Sequence, residues 1–89
     1  MSRHARNVDL NQKEIVAAFR EMNCQVVLMH TAGGGFPDLI VCRAGKAYFV
    51  EVKGPRGKLN ALQEKFHGEW RGPKIHIVRT VDEAIEVID

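Results

Sequence analysis

The stretch from Phe36 to Lys53 constrains the fold more than any other. It holds two apolar runs, Leu39-Ile40-Val41 and Tyr48-Phe49-Val50, with Ala44-Gly45 as the turn signal between them. A two-residue loop at Ala44-Gly45 makes an antiparallel hairpin and fixes its register. Arg43 then faces Lys46, Cys42 faces Ala47, Ile40 faces Phe49 and Asp38 faces Glu51. Opposed Cβ atoms lie roughly 4.5–5.5 Å apart. Two carboxylates therefore sit side by side at the open end of an apolar ribbon. Lys53, two residues past Glu51, points to the same face. Ile40, Cys42, Ala47 and Phe49 share that face, and Leu39, Val41, Tyr48, Val50 and Val52 take the other. A ribbon apolar on both faces calls for helices over both.

Neighbouring carboxylates repel and do not stabilise a fold. A divalent cation relieves the repulsion, and Mg²⁺ is commonly held by one or two carboxylates together with phosphate and water. A lysine beside such an ion orients a water or helps to deprotonate it, which makes a hydrolytic site for a phosphodiester. The plainer reading is a pair of solvated rim residues, with Glu-x-Lys an ordinary alternation on an exposed strand. Pro37 directly before Asp38, the glycines before it and the apolar continuation are unlike such a rim.

The rest of the chain supplies cover for this hairpin. Residues 1–8 read as a basic arm carrying Arg3, His4 and Arg6, and residues 9–89 as a single domain. A helix is expected over Asn11–Asn23, with Ile15, Ala18, Phe19 and Met22 at helical spacing; Asn11 is its expected N-cap and Glu14 the capping-box partner. Gln25–His30 reads as a strand. Gly33-Gly34-Gly35 then gives either a flexible connection or a close approach of backbone to something, read as a substrate-side loop at Gly34 and Gly35. Gly54-Pro55 ends the hairpin. A helix over Lys58–Arg71 follows, with Leu59, Leu62, Phe66 and Trp70 as its core face and Gln63 inside that stripe. A glutamine placed there must find partners or lose hydration uncompensated. Lys74–Val78 reads as a strand, and Thr80-Val81-Asp82-Glu83 as a capping box opening a last helix. The order is αβββαβα, an α/β mixed sheet flanked by helices.

Composition sets outer bounds. A chain of 89 residues is one small domain, marginal as a monomer and helped by a partner subunit. A formal charge of +2 does not by itself identify a nucleic-acid binder. Local charge is more telling, because Arg56 and Lys58 follow Lys53 closely and are placed to hold phosphates flanking the scissile one. No apolar run approaches the ~20 residues of a membrane span, so the expectation is no membrane partner and a cytoplasmic location. Cys24 and Cys42 read as reduced, small apolar side chains.

Pro37-Asp38 followed by Glu51-Val52-Lys53 resembles the PD-(D/E)XK nuclease signature. The wider pattern resembles one branch of it, the virus-type replication-repair nuclease domain (VRR-NUC). It consists of Gly35-Phe36-Pro37-Asp38-Leu39, Glu51-Val52-Lys53-Gly54-Pro55, Leu59, Gln63, and a late strand and helix. The resemblance spans nearly everything from Glu14 onward and implies the restriction-endonuclease-like PD-(D/E)XK core. It implies Mg²⁺ (or Mn²⁺) as cofactor, held by Asp38, Glu51 and the Val52 carbonyl, with Lys53 as the catalytic lysine. It also implies Gln63 beside that lysine, and Glu14 as an acidic residue of the first helix that assists the metal. Stand-alone domains of this branch resemble Holliday-junction resolvases, so the implied partners are branched or four-way-junction DNA and a second copy of the chain. The reading from another class is a catalytically silent nucleic-acid-binding or assembly module.

Overall fold

In the computed structural model, which describes residues 3–89 with side chains from Leu10 onward, Ala44 and Gly45 both take positive φ, 52° and 80°. That is the type I′ geometry whose twist matches the flanking strands. It joins β2 (Leu39–Arg43) to β3 (Lys46–Val52). The pairs Arg43–Lys46, Cys42–Ala47 and Ile40–Phe49 form as the loop length dictates. β1 (Gln25–Leu28) adds antiparallel to β2, and β4 (Ile75–Val78) adds parallel to β3. The sheet order is β1-β2-β3-β4. Two further bonds carry the ladders to the site: Met29 N–H donates to the Asp38 carbonyl at 2.8 Å, and Lys53 N–H donates to the Val78 carbonyl at 3.0 Å.

The residues Leu39, Val41, Val50 and Val52 face α1 (Arg3–Glu21) and α3 (Val81–Ile88), where they meet Ile15, Val16, Phe19 and Ala84 in one buried core. Cys24 is part of that core and acts there as a small apolar side chain. The opposite face carries α2 (Ala61–Glu69), which has no fully buried residue. A half-buried aromatic cluster fills the space beneath it. Phe66 stacks on Trp70 at 5.2 Å between centroids; Phe49 meets Trp70 edge-on at 5.3 Å, and Phe36 meets Phe66 at 5.5 Å. Each such pair adds roughly 0.5–1.5 kcal/mol beyond the area it buries.

Several boundaries differ from the sequence reading. α1 runs from Arg3, so residues 3–8 of the expected arm are helical; Met1 and Ser2 lie outside the described residues. The helix ends at Glu21, and Asn23 takes φ 64° just beyond it while Cys24 N–H donates to the Phe19 carbonyl at 3.1 Å. That is the usual asparagine-tolerant left-handed stop. Asn11 is consequently deep inside the helix and caps nothing. Its Nδ2 instead donates to the Lys53 carbonyl at 2.8 Å and the Arg79 carbonyl at 3.0 Å. α2 starts at Ala61, not Lys58, because Asn60 accepts from Gln63 N–H and sets the cap. With Gln63, Phe66, His67 and Trp70 turned inward at i, i+3, i+4 and i+7, Leu62 falls on the rim and is 61% exposed, not part of the core face. At α3, Thr80 accepts from Glu83 N–H as expected, but Glu83 Oε1 accepts from Arg79 N–H at 2.6 Å, one residue before the cap.

Candidate active site

Asp38 directly precedes β2 and Glu51 lies on β3, and the register that pairs Leu39 with Val50 brings the two to the same end of the sheet. Glu51 has no exposed surface, and among the described residues it is the one buried charged side chain, on the face of the sheet that carries α2. Burial is the main cause that raises its carboxyl from the ordinary range to about 8; the Asp38 carboxyl beside it adds to this, and Lys53 opposes it. Asp38 Oδ2 accepts from Val52 N–H at 2.9 Å, which ties the first carboxylate to the strand bearing the second.

Gln63 completes the group. It is the N3 residue of α2, and its backbone N–H donates to Asn60 Oδ1 at 2.9 Å while its Oε1 accepts from Asn60 N–H at 3.0 Å. The same Oε1 accepts from Lys53 Nζ at 2.7 Å, and Nε2 donates to Glu51 Oε2 at 3.1 Å. The amide that closes the helix cap therefore bridges the lysine and the buried carboxylate. Gln63 also has the partners that its place in an apolar stripe requires.

The loop of glycines has a packing role at this point. Gly35 takes φ 84°, and a Cβ there would lie 2.5 Å from the Leu62 carbonyl oxygen. The loop thus passes against the first turn of α2, where Gln63 is set. The close backbone approach is to that helix. Gly34 also has positive φ, 63°, but a Cβ on it would meet nothing within 4 Å.

Asp38, Glu51, Lys53 and Gln63 line one cleft of about 190 Å³. Val52, Gly54, Gly57 and Lys58 also line it, and α1 contributes Gln12. Glu14 does not line it and is exposed; Gln12, two residues earlier, is the side chain from α1 that does. Arg56 is exposed on the loop beside Lys58. Three polar residues escaped sequence reasoning. Asn11 holds the Lys53 carbonyl, as described above. Gln12 had no signal beyond its helical position. His67 follows Gln63 by one helical turn, a spacing that could have placed it on the same face.

The donor set suits a hard divalent cation. Two carboxylates meet at a position where burial and their own repulsion call for positive charge beyond that of Lys53. Glu51 Oε1 is buried without a hydrogen-bond partner among the described residues. No group of three or more acidic, histidine or cysteine side chains is assembled among the described residues. The remaining ligands would be a backbone carbonyl, water and phosphate oxygens, which is how Mg²⁺ is usually held. Among the described residues, no helix is long and apolar enough to cross a membrane.

Comparison with known proteins places the chain in a domain family. The VRR-NUC domain family matches residues 4–73. A solved structure described as a VRR_NUC domain is 26% identical and superposes with a TM-score of 0.75, covering 92% of this chain and 94% of that one. No curated protein matches the chain.

Proposed function

The chain belongs to the VRR-NUC domain family, a nuclease-type domain acting on nucleic acids, and on that footing we propose that it is a divalent-metal-dependent DNA endonuclease. The observation that carries this reading is the convergence of Asp38, Glu51, Lys53 and Gln63 on one cleft, with Glu51 buried and the lysine fixed beside it. Asp38, Glu51 and the Val52 carbonyl are the proposed metal ligands, with Mg²⁺ as the ion and Mn²⁺ as its substitute. Bound there, the ion supplies polarisation of the scissile phosphate and a lowered pKa of water.

The chain's own residues do the rest. Lys53 Nζ, held on Gln63 Oε1, has donors left for a water or a phosphate oxygen entering the cleft. Gln63 keeps that ammonium and the Glu51 carboxylate in fixed relation. Lys58 lines the cleft, and Arg56 and Gly34 are exposed, so these three are proposed to receive the phosphates flanking the cut.

We further propose branched DNA, a four-way junction above all, as substrate and a two-fold homodimer as the working form. Leu62 is 61% and Ile77 37% exposed, while Val27 and Leu28 are exposed on the edge strand β1. A monomer this small gains from covering such surface. A junction is near two-fold symmetric, and paired cuts need two matched sites. The test is incubation with Mg²⁺ and a panel of duplex, single-stranded, flap and four-way-junction DNAs, each repeated with EDTA. Metal-dependent cutting that favours the junction, in symmetric pairs, supports the reading. Equal cutting of flaps and linear duplex removes the junction assignment.

A further inference from the structure

Behind the cleft, Glu51 Oε1 and His67 Nε2 approach to 3.9 Å. Both atoms are buried and neither has a hydrogen-bond partner among the described residues. Glu51 itself has no exposed surface, and the other oxygen of its carboxyl already accepts from Gln63. His67 does not line the cleft, so it faces the carboxylate from the protein side. It sits one helical turn after Gln63, so the same face of α2 presents a side-chain nitrogen to each oxygen of one carboxylate.

We propose that His67 is a positioning residue of the metal site: its Nε2–H closes onto Glu51 Oε1 and, with Gln63 on Oε2, fixes the carboxylate for cation binding. This rests on the assignment of Glu51 as a metal ligand. At 3.9 Å the pair is too long for a hydrogen bond and about 1 Å from a good one. A small turn of either side chain closes it. A carboxylate oxygen keeps accepting capacity after taking one N–H, so closure leaves both oxygens able to face an ion. Groups that orient metal-binding carboxylates in this way typically change metal affinity by about 10–100-fold when removed.

The experiment measures Mn²⁺ binding alone, by electron paramagnetic resonance of the free ion, with no DNA present. Four proteins are compared: the parent, Glu51→Gln, His67→Phe and His67→Gln. Phenylalanine keeps an aromatic ring on α2 without a donor, and glutamine restores one. Circular dichroism checks each fold, and His67→Leu replaces His67→Phe if that variant does not fold. The expected result is Mn²⁺ affinity lowered about 10-fold or more in His67→Phe and largely recovered in His67→Gln. Parent-like affinity in His67→Phe, with Glu51→Gln weakened, overturns the role of His67 alone. Parent-like affinity in Glu51→Gln overturns the metal assignment beneath it.

Discussion

Lys53 Nζ donates to Gln63 Oε1 at 2.7 Å, across a separation of ten residues in sequence. The same glutamine caps its own helix and donates to Glu51. Helix start and candidate active site are thus one hydrogen-bonded unit. Gln63→Ala should lower both stability and turnover, by about 1 kcal/mol for the lost cap and partners and by about 10-fold or more in rate. Chemical denaturation and single-turnover cleavage check the two parts. A change in stability with unaltered rate returns Gln63 to a structural role.

Glu51 makes metal-free stability depend on pH in a stated direction. Its folded carboxyl titrates near 8, above its ordinary value of 4.5. Between those values the folded state holds a proton that the unfolded state has released. Stability from this group is therefore full below about 4.5 and is lost as pH rises through about 8. Thermal midpoints of the metal-free protein should fall over that window, and Glu51→Gln should flatten the fall. At the proposed metal site a bound cation would displace the same proton, so apparent metal affinity should rise with pH up to about 8. Titration calorimetry in two buffers of different ionisation heat would show the proton release.

Gly35 and its neighbours separate packing from mobility. Gly33→Ala and Gly34→Ala meet open space and incur only the left-handed backbone penalty, about 1–2 kcal/mol each. Gly35→Ala adds a clash with the Leu62 carbonyl and should destabilise by more than either. It should also lower activity by displacing Gln63. Urea unfolding of the three variants gives the ranking, and equal losses at all three positions would contradict the packing account.

Asn11→Leu removes the donor shared by the Lys53 and Arg79 carbonyls. Leaving such acceptors unpaired costs about 1–3 kcal/mol. Denaturation should show a loss of that order, with reduced turnover because the Lys53 backbone is no longer held to α1. Full activity at unchanged stability would place Asn11 outside the site's support.

The hairpin and its two carboxylates were legible because a two-residue loop leaves one register, and register alone decides what faces Asp38. The alternation of Leu39, Val41, Val50 and Val52 with Ile40, Cys42 and Phe49 likewise fixed which face meets which helix. Helix limits were less legible. The basic stretch from Arg3 to Val8 lacks an apolar stripe of its own and is helical as the continuation of α1. Asn11 read as a cap because asparagine favours that place, yet its side chain is used in a tertiary contact that no local pattern announces. Lys58 and Leu59 fit helical spacing, but Asn60 and Gln63 close the cap on each other and start α2 later. Gln63 was marked by its misfit in an apolar stripe. His67 carried no such mark, because a histidine on a helix fits either environment.

The central claim is that Asp38 and Glu51 hold the ion that makes this cleft a nuclease. Its most direct test is single-turnover cleavage of a labelled four-way junction with Mg²⁺, by the parent and by Asp38→Asn, with folds verified and contaminating nuclease excluded. The account predicts Mg²⁺-dependent cutting by the parent that EDTA abolishes, and no cutting by Asp38→Asn at unchanged or slightly raised thermal stability. Comparable cutting by Asp38→Asn, or parent cutting that persists in EDTA, would contradict it.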